Sequence, residues 1–373
     1  MNILIAGDYC PRYRLQSVVD RGGFADLFSE VKTIVDQADF SIVNLECPVV
    51  NGKGTPIKKC GPNLRTTEKG VEALKWVGFD CVTLANNHFY DYGDEGVRDT
   101  LQACHKLDID YVGGGMNITE ASQIFYKEIN GQRLAVINCC EHEFSIATDT
   151  SGGSNPLDPI QQYYAIKEAK DNADYVLVIV HGGHEHWQLP SPRMVETYRF
   201  FIDAGADAVV NHHQHCFSGY EVYNGKPIFY GLGNFCFDIN PAKRDNIWNY
   251  GFIVKIVFDK DGIGYEIFPY EQCGEKVGVM LLPKDAFDGK IQVINDIIYN
   301  KIALDEETQK YYEKTAQYYG DIFEPVNNRI YLGCKSRGWL PSLVSEKRRL
   351  TATNFICCEA HRDKLIHYFI SAH

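Results

Sequence analysis

Five short apolar runs in the first 215 residues end in side chains that hold metal ions or move protons. ILIAGD stops at Asp8, FSIVNLE at Glu46, CVTLANNH at Asn87-His88, YVLVIVHGG carries His181, and AVVNHH ends at His212-His213, with His215 just beyond. Two carboxylates, an amide and several imidazoles form a mixed nitrogen and oxygen donor set. Such a set suits zinc, manganese or iron better than calcium. Taken singly, each residue has an ordinary explanation. Asp8 fits a turn or helix cap, Asn86-Asn87 fits a left-handed turn, and a lone buried histidine is usually a satisfied core residue. Three histidines within 212–215, at the end of one strand, are harder to explain that way. The shared position of all these residues, more than any one of them, points to a metal centre.

The elements around them supply the reason they would meet. From residue 1 to about 270 the apolar runs alternate with amphipathic stretches such as DLFSEVKTIVDQ, EKGVEALKWVG and RMVETYRFFIDAG, the pattern of a layered α/β domain. Several stretches stop at Gly, a usual helix terminator. Parallel strands in such a domain gather their carboxyl ends into one crevice, where sites form. We expect an α/β domain over residues 1–273 and a mainly helical extension over 274–373. The extension reads as helices at 285–302, 305–321 and 343–372, with breaks near 323–325 and 338–341. Stretches 50–65 and 145–160 read as long loops, GGG at 113–115 as a turn, and Lys347-Arg348-Arg349 as a solvated helix face.

Composition narrows the function. The 373-residue chain carries a net charge of −12, which argues against nucleic acid as a partner, because nucleic-acid footprints are usually basic. No stretch offers about 18 uninterrupted apolar residues, so no membrane span is expected. Met1-Asn2 leads into an apolar run too short for a signal segment, which predicts a cytoplasmic protein. Thirteen cysteines without CxxC spacing read as reduced thiols, mostly buried as small apolar residues. Neither a GxSxG elbow nor a Walker loop is present, which argues against serine hydrolases and nucleotide triphosphatases.

The motifs GD at 7–8, NLE at 44–46, ANNHFYDYG at 85–93, HGGHE at 181–185, DAGADAVVNHHQH at 203–215 and GKPIFYGLGNF at 225–235 have a familiar order. Together they resemble the poly-γ-glutamate capsule synthesis (CapA) family, which looks like a branch of the calcineurin-like metallophosphoesterases. The resemblance covers residues 1–240 or so. It implies a metallophosphoesterase-like sandwich of mixed sheets flanked by helices, holding one or two divalent ions (Mn, Zn or Fe). The implied ligands are Asp8, Glu46, Asn87, His181, His212 and His215, with Glu46 where the superfamily usually has a bridging Asp. His88 is implied to assist the leaving group and Asp91 to orient it. His184, Glu185, His186, His213 and Asn234 are expected to line the substrate site.

Three positions depart from the pattern: Cys10 replaces the first-motif His, Asn211 a Gly, and Gln214 a Pro. The centre is then mononuclear, asymmetric, or completed by the Cys10 thiolate. A divalent ion lowers the pKa of bound water from about 15.7 toward 7, so the implied reaction is attack of metal-activated water on a phosphoester or a γ-glutamyl amide. The substrate would be a small molecule or an anionic polymer, which Lys58, Lys59 and Arg65 are placed to meet. The alternative is a non-catalytic, metal-stabilised scaffold that binds polymer.

Overall fold

The computed structural model describes residues 1–241, 245–321 and 344–371, with single positions 334, 337 and 339 between the last two stretches. The strands are β1 (Asn2–Cys10), β2 (Phe40–Leu45), β3 (Cys81–Thr83), β4 (Asp110–Val112), β5 (Gly114–Gly115), β6 (Phe125–Ile129), β7 (Gln132–Cys140) and β8 (Gly153–Ser154). They continue with β9 (Tyr175–His181), β10 (Ala208–His212), β11 (Tyr220–Tyr223), β12 (Lys226–Phe229), β13 (Asn234–Phe237), β14 (Tyr250–Asp259), β15 (Gly262–Gln272) and β16 (Val279–Leu281). One mixed sheet runs β16-β15-β14-β1-β2-β3-β4, with β13 also paired to β1; the other runs β11-β12-β10-β9-β7-β6. The fold is thus the expected mixed α/β sandwich. The first sheet continues through β16, past residue 273.

Alternation along β1 and β2 explains the layers. Ile3, Ile5, Phe40 and Ile42 share one core with Leu134, Val136, Val178 and Val209 of the second sheet. Leu4, Ala6, Val43 and Leu45 turn instead toward helices α1 (Tyr13–Asp20), α2 (Phe24–Val35), α3 (Glu68–Val77) and α4 (Gly93–Lys106). Successive strand residues point to opposite faces, so each face needs its own cover. Every buried Val, Leu or Ile contributes roughly 1.5–3 kcal/mol. After the short α5 (Ile118–Ala121), helices α6 (Pro159–Asn172) and α7 (Pro192–Ala204) cover the second sheet. Both start as sequence rules require, with Pro in the first turn and a side-chain cap, Asp158 or Ser191.

The remaining helices are α8 (Asp288–Tyr299), α9 (Lys301–Asp321), α10 (Glu346–Cys357) and α11 (Glu359–Ser371). The single helix expected over 343–372 is split where Cys358 takes an extended conformation (φ −69°, ψ 127°). Lys347, Arg348 and Arg349 are exposed on α10 as expected. The breaks expected near 323–325 and 338–341 lie outside the continuously described residues. GGG at 113–115, read as a turn, instead supplies β5, which pairs with β8. A side chain at Gly114 would collide with Leu84 and Phe89. No described helix is long and apolar enough to cross a membrane.

Candidate metal centre

Asp8 reaches the space between the sheets because β1 bulges. Ile3, Ile5 and Ala6 pair in step with Phe40, Ile42 and Val43, but Asp8 then pairs with Asn44. The extra residue is Gly7. Without it, Asp8 would face the helices with Leu4 and Ala6. A Cβ at position 7 would lie 1.8 Å from the Gly233 carbonyl oxygen, so only glycine allows β13 to approach here. Glu46 continues the inward face of β2 two residues beyond Asn44. His181 ends β9 in register with Cys140 of β7 and His212 of β10.

These ends converge into two groups, each with one donor atom per residue within 4.8 Å of the others. Asp8, Glu46 and His215 form one; Glu46, His181 and His213 form the other. Glu46 belongs to both, with its Oε1 3.8 Å from His181 Nε2 and 3.6 Å from His215 Nε2. His213 Nδ1 lies 3.0 Å from His181 Nε2, and Asn87 Oδ1 lies 3.1 Å from that same nitrogen. Asn87 therefore stands beside the second group.

His212 and His213 exchange their expected places. His212 is the last residue of β10 and joins neither group; both its ring nitrogens are buried without a hydrogen-bond partner. The chain then turns through positive φ at His213 (92°) and His215 (54°), which swings the rings of these two, separated by Gln214, toward Glu46. Non-glycine residues held at positive φ cost of order 1–3 kcal/mol and cluster at functional sites. Asn234, expected to face substrate, is fully buried. Its Oδ1 lies 2.9 Å from His215 Nδ1, so it orients that ring. Cys10 lies in the helix-side core beside Cys47 and joins neither ligand group. Burial and Cys47 hold its thiol well above the usual range.

The residues fit a cation. Glu46 is fully buried, yet neither carboxylate oxygen has a hydrogen-bond partner. Burial, then the neighbouring Asp8, pushes its carboxyl well above the usual range. An unpaired buried carboxylate costs several kcal/mol unless it is protonated or met by positive charge. Burial and the surrounding imidazoles hold His181 well below its ordinary range, and His213 is pushed down to about 3. Both rings are therefore neutral at pH 7, the state a metal requires. Asn44, which sequence reasoning passed over, donates to Asp8 Oδ1 (2.7 Å) and lies 3.3 Å from His181 Nδ1. It fixes both donors. Its Oδ1 accepts in turn from Thr83 and Asn86.

Beside the centre, His88 Nδ1 lies 2.7 Å from Asp91 Oδ2, as expected for an oriented imidazole. Lys59, a residue of the long loop after β2, enters this pair and donates to Asp91 Oδ1; its Nζ is 3.1 Å from His88 Nδ1. Of the three basic loop residues, it is the one brought in. Lys58 pairs with Glu346 at the surface, and Arg65 donates to the Gly52 and Lys53 carbonyls. Burial and then Lys59 lower the His88 pKa to about 4. Lys59→Met removes one of these causes and leaves Asp91 unopposed. The His88 titration midpoint, read by NMR in metal-free protein, is expected to rise from about 4 toward the ordinary 6.5. A midpoint still at about 4 would assign the whole shift to burial.

The last helices cover one side of the centre, which the sequence left open. His184 is buried, with Nε2 3.1 Å from the Tyr312 hydroxyl of α9. Trp187 stacks on Tyr311 at 4.4 Å, and Lys364 of α11 donates to the Tyr311 hydroxyl. Arg193 on α7 joins Glu141 (2.7 Å) to Asp363 of α11 (2.9 Å), and His142 meets Glu359 (2.6 Å). Glu185 and His186 stay about half exposed, at the open side. The His186 ring lies 6.3 Å from that of His215. Glu143, another residue that sequence reasoning missed, accepts from Asn87 Nδ2 at 3.4 Å and lies 3.9 Å from His213 Nε2.

Fold and centre together define a two-sheet α/β protein with a histidine–carboxylate cluster where the carboxyl ends of both sheets meet. A family model described as bacterial capsule synthesis protein PGA_cap matches residues 2–239, and the chain belongs to that family. It is 35% identical over 246 residues to "Capsule biosynthesis protein CapA" of Bacillus anthracis, covering 64% of this chain and 60% of that protein. It thus spans less than two thirds of that relative's length. To "PGA biosynthesis protein CapA" of Bacillus subtilis (strain 168) it is 34% identical over 270 residues, covering 71% and 70%. Among solved structures it is similar to a phosphatase from Mycoplasma pneumoniae, with 16% identity, a TM-score of 0.46, and coverage of 74% and 95%. That likeness is too distant to bear on function.

Proposed function

We propose that this chain is a metal-dependent hydrolase linked to capsule or poly-γ-glutamate biosynthesis. In this reading it cleaves a phosphoester, or a γ-glutamyl amide, of an anionic substrate. One observation carries the reading: Glu46 is buried, has no hydrogen-bond partner for either oxygen, and is shared by two convergent donor groups. The proposed ligands are Asp8, Glu46 and His215 for one ion and Glu46, Asn87, His181 and His213 for another. The nitrogen and oxygen donors suit Zn, Mn or Fe. When bound, such ions supply Lewis-acid charge and lower the pKa of water.

The protein's own groups would do the rest. Asp91 holds His88 by Nδ1, which leaves Nε2 for the substrate. With a pKa of about 4, the ring is neutral at pH 7 before substrate arrives. An anion placed beside it raises that value, so substrate would itself prepare His88 to hold a proton for the leaving oxygen. Lys59 and Lys364 add positive charge. The aromatic wall of Trp187, Tyr311 and Tyr312 excludes water from one side.

The test uses purified full-length protein loaded with Mn²⁺ or Zn²⁺, offered an aryl phosphodiester, an aryl phosphomonoester and γ-glutamyl oligomers. Turnover is expected on at least one class, with His181→Ala losing both turnover and metal. His88→Ala is expected to lose turnover by about 10²–10⁴-fold while keeping its metal. Full metal occupancy with no turnover on any class would favour the polymer-binding scaffold.

A further inference from the structure

We propose that Glu143, Cys358 and His361 form a third cation site, distinct from the two groups around Glu46, where the last helices meet the sandwich. The three donors lie within 4.8 Å of one another. They come from separate parts of the chain. Glu143 follows β7, Cys358 stands in the break between α10 and α11, and His361 lies in the first turn of α11. The extended Cys358 and the C-x-x-H spacing set thiol and imidazole on one face of that helix start.

Further features of the surroundings bear on the site. Asn354 on α10, four residues and just over one turn before Cys358, is 4% exposed, and its Oδ1 has no hydrogen-bond partner. Its side chain bears on the Glu143 carboxylate. Burial, then the Glu143 and Glu141 carboxylates, hold the Cys358 thiol well above its usual range, while the His361 backbone N–H at the helix start acts on the sulfur in the opposite sense. The Cys358 thiol donates to Glu141 Oε2 at 3.9 Å, and Glu143 and Glu359 stand near it as well. Arg193 pairs with Glu141 and His142 with Glu359, so Glu143 is the carboxylate left to meet a cation beside the Cys358 thiol and the His361 ring.

The donor chemistry selects the ion. One sulfur, one imidazole nitrogen and one carboxylate oxygen suit zinc, or cobalt(II) as its spectroscopic substitute, and disfavour magnesium or calcium. Three protein ligands leave a position open. Glu143 also lies 3.9 Å from His213 Nε2, so the third cation would sit next to the centre and fasten α10 and α11 against it. Binding would release the thiol proton of Cys358 and leave the thiolate on the ion.

Cobalt(II) titration of the full-length protein tests the assignment, because the two groups around Glu46 hold only nitrogen and oxygen donors. A near-ultraviolet sulfur-to-cobalt charge-transfer band is expected, with three equivalents bound. Cys358→Ser should abolish the band and one equivalent. His361→Ala should weaken that equivalent even if the serine variant folds poorly. Asn354→Ala, which acts through Glu143, is expected to weaken it by about 10-fold or more. Cys10→Ser and Cys60→Ser should leave the band in place. Absence of the band, or its loss only in Cys10→Ser or Cys60→Ser, would overturn the proposal. Loss of the other two equivalents in His181→Ala with the band retained would show that the sites are separate. The proposed hydrolytic centre can therefore fail without the third site failing, and the reverse.

Discussion

Glu46→Gln is expected to move thermal stability in opposite directions with and without metal. In metal-free protein the Glu46 carboxyl is held well above its usual range, first by burial and then by Asp8. A carboxyl whose folded pKa is raised stabilises the fold below its unfolded value, near 4.3. That contribution is lost as pH rises toward the folded value, because the folded state then binds the proton that the unfolded state has released. Near neutrality the metal-free wild type bears this penalty, and glutamine has no proton to lose. The metal-free Tm should therefore rise in the variant at pH 7, and its decline with rising pH between about 4.3 and neutrality should flatten. With metal the sign reverses. Both donor groups lose their shared carboxylate, and a 100-fold drop in affinity would remove about 2.3 kcal/mol of ligand stabilisation at an ion concentration 100 times the wild-type Kd. Elemental analysis with paired melts checks both halves. Unchanged occupancy would remove Glu46 from the ligand set.

Arg193→Met should detach the C-terminal cover. The Arg193 guanidinium is the middle member of a chain of three charges: Glu141 beside β7, Arg193 on α7 and Asp363 on α11. Glu141 and Asp363 are both largely buried, at 4% and 17% side-chain exposure, and Arg193 is 27% exposed. Removing one partner of a buried pair costs about 3–5 kcal/mol, because the remaining charge is left uncompensated. We expect the low end, about 3 kcal/mol, since Arg193 keeps some solvent contact and Glu141 can take up a proton. Met retains most of the packing, so the loss reads charge more than volume. Residues 344–371 should be cleaved faster in limited proteolysis. Urea unfolding measures the first effect. A loss below about 1 kcal/mol with unchanged proteolysis would leave the clasp as an ordinary surface pair.

Particular residues show how far the sequence could be read. Chain order and strand-end position were enough to bring Asp8, Glu46, Asn87 and His181 to one crevice, because parallel strands carry their termini to one side, but the bulge at Gly7 that turns Asp8 inward was not legible. The choice between His212 and His213 was not legible. It depends on two positive φ angles after β10, and histidine gives no warning of them as glycine would. Asn234 was placed in the right neighbourhood with the wrong task, since its hydrogen bond to His215 is a matter of rotamer. Lys59 and Lys58 are adjacent and chemically equal, yet one is buried on Asp91 and the other pairs with Glu346 at the surface. Only the path of the loop separates them. The contributions of Tyr312, Cys358, His361 and Asp363 were invisible for a related reason. They lie more than 90 residues beyond His215, on helices whose sequences carry no signature, and their role arises from docking alone.

The sharing of Glu46 between the two donor groups has a consequence for how ions would load. Each group needs that carboxylate ionised, but there is only one proton to displace. The first ion to arrive would do the work of expelling it, and the second would find the carboxylate already charged. Proton release would then accompany only the first step. Affinity for the first ion would climb with pH through the raised titration range of Glu46, while affinity for the second would be nearly indifferent to it. The mutual repulsion of the ions opposes the second step, so the two constants draw together at low pH and separate at high pH.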